Sequence, residues 1–436
     1  MWRKVVRAAA TTGAGQARRI KHPSLRRAGL RRAGLWAALM LWSVSVPACA
    51  AAPCPAPVPP DGLQKFYKAL GDLKSGARDR SVTVLHLGDS HIALDHMTGE
   101  VRRRGAAMLG DGGRGLAPGV PYPYYAPQNY QISMSGNWRV ASSLTGSAPG
   151  PFGMSGFRIE ATDGGAEISL TSEHEIGAVE IEVYGGPDTG AVMLTLGQAA
   201  PLTLPTKSEK PGVVFLRVPA AGVREVRLRV AGNGPVRLLG WTMTGTKPGF
   251  RYDSYGISGA TLDVVSHWDD AIVDAEIVRL APDLVLLGYG TNEGFNDHAD
   301  AAAYGRRFGQ LVERLQRLAP QASIGVLGAF DGARRARPAD RALCGKGRAT
   351  PPKLGILRDV QRGIARQGGL FYTDMSRAMD GACGVARWVE ADPPLAWPDH
   401  VHLRPEGARR AGTMLWNDLM GRAADAALSC IRNPKG

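Results

Sequence analysis

Cysteine is scarce in this chain, with five in 436 residues and none in a Cys-x-x-Cys pair. That excludes the common zinc and dithiol frameworks, which need clustered thiols at short spacing. Acidic residues are missing altogether from the first fifty positions, where ten of the Lys and Arg fall. The formal charge of +14 is therefore local, and the remainder carries only +4. Aromatics make up 7 % and no basic stripe is interleaved with them, which argues against a nucleic-acid partner. Fixed-period repeats and low-complexity tracts are absent, so solenoids and disordered scaffolds drop out. The apolar stretch Leu35–Ala50 is short of the roughly 20 residues that a membrane span needs.

That stretch has another reading. A basic segment, a short apolar run and Ala48-Cys49-Ala50 as an A-x-A-like site make residues 1–50 a secretory signal peptide. The alternative, Cys49 as the lipid-carrying residue of a lipoprotein, stays open, although Pro47 fits that pattern poorly. Cleavage after Ala50 leaves Cys54, Cys344, Cys383 and Cys430, an even set that in an exported chain suggests two disulfides. Of the three pairings we expect Cys344–Cys383, stapling two long loops, and Cys54–Cys430, tying the chain ends together.

Organisation follows from periodicity. A helix over 61–74, the β-branched strand "SVTVLHLG" and the helix "DHMTGEVRRRGAAML" form a strand-turn-helix unit. From about 125 to 248, short alternating stretches such as "AEISLTS", "GAVEIEVYGG" and "EVRLRVAG" recur at β-sandwich spacing. Helix and strand then alternate again: a helix near 261–280, a strand at 283–290, a helix, a strand at 323–330, a helix, "LFYTDM" and a helix from about 405 to 427. Alternation of this kind implies a parallel sheet covered on both faces. The expected organisation is thus 51–124 and 249–436 as one α/β core, with 125–248 an inserted all-β module.

In such sheets ligands bind beyond the carboxyl ends of the strands. Two loops at that edge carry chemistry. "GDSH" places Ser90 just past the first strand, and "GYGTNEGF" places Asn292 just past another. Near the C-terminus, "WPDHVHL" sets Asp399 and His402 three apart, so the carboxylate can face the imidazole and leave its Nε2 free for a hydroxyl proton. A serine is weakly nucleophilic until a base activates it in this way. Gly256 and Gly259 in "YDSYGISGATLD" precede a helix, where main-chain N–H groups point outward. Gly259 N–H, Ser90 N–H and the Asn292 amide make a candidate oxyanion hole. His86 reads as a core histidine, Asp297-His298 as a loop and cap, and Trp397, Trp388 and Tyr289 as core aromatics or sugar platforms. Asp89 reads as the group that fixes the serine turn through side-chain to backbone bonds.

Gly88-Asp89-Ser90, Gly259, Asn292 and "DHVH" resemble, in order, the four blocks of the SGNH (GDSL-type) esterase and lipase superfamily. The resemblance covers 82–130 and 250–425. It implies a flavodoxin-like three-layer α/β/α core, Ser90 as nucleophile, His402 as base and acid, Asp399 as its orienting carboxylate, and no metal or organic cofactor. Two departures, His91 after the serine and the inserted module, are similar to periplasmic peptidoglycan O-acetylesterases, which carry "GDSH" with an aspartate four residues on (here Asp95) and a jelly-roll module resembling carbohydrate-binding domains. His91 and Asp95 therefore either line the site or pin its loops.

The expectation is an exported, periplasmic or cell-surface serine esterase that removes acetyl groups from a glycan, with no membrane span after signal cleavage. An O-acetyltransferase working through the same acyl-enzyme, and a non-catalytic glycan-binding protein, are the alternatives. Neither the acetylated hydroxyl nor the oligomeric state is legible from the residues.

Overall fold

The computed structural model describes residues 61–117 and 125–421. The expected signal peptide, Cys54 and Cys430 lie outside the described residues. The described residues open with α1 (Gln64–Lys74), β1 (Val82–Gly88), the short α2 (Ser90–Ala93) and α3 (Asp95–Leu109). Nine strands follow: β2 (Gly115–Ala117), β3 (Tyr130–Ser135), β4 (Arg139–Ser142), β5 (Phe157–Ala161), β6 (Glu167–Gly185), β7 (Ala191–Leu196), β8 (Leu202–Pro205), β9 (Gly212–Val230) and β10 (Val236–Thr244). The last part holds β11 (Phe250–Gly256), α4 (Asp270–Leu280), β12 (Leu284–Gly288), the short α5 (Thr291–Gly294), α6 (Ala301–Leu318) and β13 (Ser323–Gly328). It closes with β14 (Arg334–Arg335), β15 (Leu343–Gly345), β16 (Arg348–Ala349), α7 (Pro352–Gly368), β17 (Phe371–Asp374), α8 (Gly384–Glu390) and α9 (Pro405–Met420).

Five strands form a parallel sheet in the order β11-β1-β12-β13-β17. Numbered by appearance within the sheet, that order is 2-1-3-4-5, the flavodoxin-like winding, which reverses direction between β1 and β12. Every residue of β1 is buried, as a strand covered on both faces requires. Its side chains alternate between two cores. Val82 and Val84 join Phe66, Val101 and Leu415 from α1, α3 and α9. Leu85 and Leu87 join Ile277, Phe308 and Leu357 from α4, α6 and α7. The result is the expected α/β/α sandwich.

The module between the first and second strands of that sheet is one nine-stranded antiparallel sheet around its own core of residues such as Ile168, Val192, Leu228 and Trp241. Its longest strands, β6 and β9, are 19 residues each and pair along most of their length, with bulges near Ile176. Bulges bend a strand and raise its twist, which lets a single sheet cover its own core. The sheet takes in Gly115–Ala117, ahead of the expected start at 125, because β2 pairs with β10. Buried polar ties join module and core: Asp253 of β11 accepts the Leu116 N–H at 2.5 Å, and Glu276 of α4 accepts that of Met154 at 2.6 Å.

Two local expectations are corrected. The stretch "FRYDSYG" is strand β11, paired parallel with β1, where no strand was anticipated. The helix expected over 261–280 is split: Leu262–His267 is a 3₁₀ turn, and α4 begins only after Asp269, whose carboxylate caps it by accepting the Ile272 N–H. An N-cap aspartate of this kind starts a new helix where a continuous one was read. A disulfide joins Cys344 and Cys383, 39 residues apart, closing the loop region between β13 and α8. Among the described residues no helix is long and apolar enough to cross a membrane.

Candidate active site

Three adjacent strands end in register. Gly88 of β1 lies opposite Gly256 of β11 on one side and Gly288 of β12 on the other. The absence of side chains here is a packing requirement: a Cβ at Gly256 would stand 2.1 Å from the Ala93 nitrogen, and one at Gly88 would stand 2.6 Å from the Gly288 carbonyl oxygen. The glycine rim thus lets α2 sit directly on the sheet edge. Ser90, Gly259 and Asn292 all follow within a few residues of these three glycines, at the point where the strand order reverses. Such crevices are where open α/β sheets bind ligands.

Ser90 is the first residue of α2, and Asp89 caps it by accepting the His91 N–H at 2.9 Å. At a helix start the first N–H groups have no intrahelical acceptor, so the Ser90 N–H faces outward. Ser90 Oγ lies 2.9 Å from Nε2 of His402, and Nδ1 of His402 lies 2.8 Å from Asp399 Oδ2. The other oxygen, Oδ1, accepts the main-chain N–H groups of Val401 and His402 at 2.9 and 3.0 Å. One carboxylate thus shapes the loop and orients the ring at once. Partial burial works against the Asp399 charge, but the His402 hydrogen bonds and the Val401 N–H outweigh it and hold the carboxyl down at about 2. The bond to Asp399 in turn raises the His402 pKa above its usual 6.5, against the opposing effect of burial. Both side chains reach solvent, Asp399 at 48 % and His402 at 35 % exposure, so the site opens on the surface.

Gly259 lies in the turn Ile257–Ala260, closed by the Ala260 N–H on the Ile257 carbonyl at 3.0 Å. Its φ of +81° is one that side-chain-bearing residues rarely adopt, and no atom lies within 4 Å of where a side chain would begin. This turn precedes a 3₁₀ segment, so the expected helix N-terminus behind Gly259 is not there. Asn292 donates one amide hydrogen to the Ala260 carbonyl at 2.8 Å, leaving a second hydrogen on the same nitrogen. The neighbouring Glu293, unnoticed in the sequence, accepts the Leu262 N–H at 2.6 Å and the Gly290 N–H at 3.1 Å. Burial raises its pKa to about 7. Asn292 and Glu293 together fasten the Gly259 turn to the β12 loop.

The remaining candidates separate. His91 is buried against Phe330, with Nδ1 3.2 Å from Asp89 Oδ1 and Nε2 3.1 Å from the Val401 carbonyl oxygen. Asp95 binds no triad residue. Burial opposes its charge, but Arg102 and Arg114 hold its pKa down, with Thr98 and the Gln128 N–H completing its partners. It ties α3 to the segment entering the module, as the loop-pinning one of its two expected roles requires. His86 is a core residue bonded to the Tyr252 hydroxyl at 2.6 Å, its pKa driven to about 3 by burial. Asp297 pairs with Arg334 and Arg337, and Asp300 caps α6. Trp388 and Tyr289 are buried, whereas Trp397 is exposed and packed under the Arg404 guanidinium.

A serine, imidazole and carboxylate in hydrogen-bond series at the carboxyl edge of a flavodoxin-like sheet is the arrangement by which serine hydrolases activate a nucleophile. Residues 230–410 match the model of the GDSL-like lipase/acylhydrolase family. Residues 230–410 thus carry an SGNH-type domain, which supports a carboxylic ester hydrolase. It superposes on a peptidoglycan O-acetylesterase at a TM-score of 0.70 with 22 % identity, over 84 % of this chain and 99 % of that one. An acetyl xylan esterase is matched at a TM-score of 0.29 and 15 % identity, over 38 % and 79 % of the two chains. The lipase/acylhydrolase from Enterococcus faecalis is matched at 0.28 and 14 %, over 40 % and 77 %. No curated protein matches the chain by sequence.

Proposed function

We propose that the protein is an exported acetylesterase that removes O-acetyl groups from a bacterial cell-wall or extracellular polysaccharide, with peptidoglycan the leading substrate. The observation that carries this reading is the unbroken series Ser90–His402–Asp399 at the glycine rim. His402 Nε2 takes the Ser90 proton as Oγ attacks the acetyl carbonyl carbon. The Ser90 and Gly259 N–H groups and the free Asn292 amide hydrogen hold the oxygen as it becomes anionic. His402 then gives its proton to the sugar oxygen, which leaves, and acetyl-Ser90 remains. Water repeats the sequence, passing its proton to His402 and releasing acetate and free serine.

A solvent-open triad suits a polymer that offers only a small acyl group at the reacting centre. Binding energy for such a substrate must come from remote contacts. The inserted module, placed at 125–248 from the sequence, is the part of the chain we assign to holding the glycan. The likeness in fold to a peptidoglycan O-acetylesterase, which spans both parts, supports this assignment. The signal peptide expected at residues 1–50 from its basic, apolar and A-x-A-like pattern is the ground for export.

Acetate release from O-acetylated peptidoglycan, measured beside a Ser90→Ala control, tests the reading. Release that falls by ~10³-fold or more in the variant is the expected result. Cleavage of a small acetyl ester alone leaves the esterase and removes the glycan assignment. Transfer of acetyl to an added sugar, with no acetate released, makes the protein a transferase.

A further inference from the structure

His91 adjoins Ser90 but bonds to none of the reacting atoms. It is 4 % exposed, and its ring lies flat on Phe330, with centroids 4.1 Å apart and planes 5° from parallel. Nδ1 faces Asp89 Oδ1 at 3.2 Å, and Nε2 faces the main-chain carbonyl of Val401 at 3.1 Å. A carbonyl oxygen only accepts, so Nε2 carries a hydrogen and donates it. Val401 is 310 positions along the chain, between the two triad members Asp399 and His402.

That distant loop is not at ease. His400 holds a φ of +58°, a conformation that side-chain-bearing residues rarely adopt and that persists where the surroundings impose it. Within the loop the His400 N–H donates to the Trp397 carbonyl at 3.0 Å and the Trp397 N–H to the His402 carbonyl at 2.8 Å, and further ties hold it in place. Asp399 Oδ1 gathers the Val401 and His402 N–H groups, the Ala333 N–H donates to the His400 carbonyl at 2.9 Å, and His91 donates to Val401. Of these, only the His91 bond comes from the serine's side of the site. Apart from the Ser90–His402 bond itself, it is the hydrogen bond that joins the two segments among the described residues.

We propose that His91 is a positioning residue that fixes the acid-base loop to the nucleophile turn, so that His402 Nε2 stays at bonding distance from Ser90 Oγ. The claim rests on the esterase reading above. It explains why an imidazole follows the serine: the ring spans from the cap of α2 to the Val401 carbonyl, which an aliphatic side chain of the same bulk cannot do.

The test compares His91→Leu, His91→Gln and His91→Asn on a small acetyl ester, p-nitrophenyl acetate. A Gln amide nitrogen stands where imidazole Nε2 stood and keeps the Val401 bond, whereas the Asn nitrogen replaces only Nδ1. We expect His91→Leu to lower kcat by ~10–100-fold with KM nearly unchanged, the pattern of a contact that matters only in the transition state. Gln is expected to restore most of that loss and Asn little of it. In the crystal structure of His91→Leu, His402 Nε2 should lie beyond hydrogen-bond reach of Ser90 Oγ. Wild-type kcat in His91→Leu, equal rescue by Gln and Asn, or an unmoved Ser90–His402 pair overturns the proposal. If the wild type cleaves no ester through Ser90, the esterase reading falls, and the variant's structure still decides whether His91 positions the loop.

Discussion

Glu293 accepts the main-chain N–H of Leu262 at 2.6 Å, and by that bond the loop carrying Asn292 holds the turn carrying Gly259. Neither residue of the pair bonds to Ser90, yet the relation sets where two of the three candidate oxyanion donors stand. Catalytic donors act through placement, since they must meet charge that develops only in the transition state. Glu293→Ala is therefore expected to lower kcat by ~10-fold or more while KM changes little. Equal losses in kcat/KM caused by KM alone would show that the tie serves binding and not the oxyanion hole.

The pH profile carries its own sign. Only the neutral His402 ring accepts the serine proton, and the Asp399 bond favours the charged ring, raising its pKa above 6.5. Activity should therefore rise as pH passes through a value above 6.5, and flatten beyond it. Asp399 itself, held at about 2, stays charged throughout and adds no second limb near neutrality. In Asp399→Ala the limb should move to lower pH, because the group that favoured the proton is gone, and the plateau should drop by ~10²–10⁴-fold. A limb that stays in place would mean that another group titrates there.

Asp95 predicts a loss of a different kind. Its carboxylate faces Arg102 and Arg114 in a buried setting, so Asp95→Asn leaves two buried cations short of a partner. Breaking such a buried pair costs about 3–5 kcal/mol. The depressed pKa gives the wild type a stabilisation that is present above the ordinary carboxylate range and lost as pH falls through the folded value. Denaturant unfolding of both proteins across an acid series should show the gap closing toward low pH, with kcat of the folded variant near the wild-type value. A variant as stable as wild type but slow in turnover would return Asp95 to the substrate.

Removing the Cys344–Cys383 bridge tests the region between β13 and α8. Chain-entropy arguments for a 39-residue separation give at most about 4 kcal/mol of stabilisation. The double variant Cys344→Ser/Cys383→Ser should unfold at a lower temperature while its turnover at 25 °C persists, since neither residue bonds to the triad. Abolished turnover in a folded double variant would place that loop in the substrate's path.

How much of this was written in the residues can be argued element by element. Strand β1 and the Gly88-Asp89-Ser90 turn were legible because a strand buried on both faces reads as a continuous apolar run that ends in turn chemistry. Asp399 and His402 were legible because both lie in one short loop. Strand β11 was not. Its Arg251 and Asp253 engage one another and the start of the module, so a buried strand carries a polar texture that periodicity reads as loop. Nothing in the sequence singles out Glu293, because its partner Leu262 is brought to it only by the fold. His91 could be seen beside the serine, but its partner Val401 lies at the other end of the chain, and no local pattern records that distance. Between the two roles left open for Asp95 no local pattern decides, since Arg114 and Gln128 reach it from the segment that enters the module.

The central claim is that Ser90 takes the acyl group, with His402 drawing off its proton. The most direct measurement is mass spectrometry of the Ser90 peptide after the protein meets a reactive phosphonate ester, in wild type, Ser90→Ala and His402→Ala. The account predicts one covalent adduct on Ser90, none in Ser90→Ala, and slow labelling in His402→Ala. An adduct on another residue, or ester turnover that survives in Ser90→Ala, would contradict it.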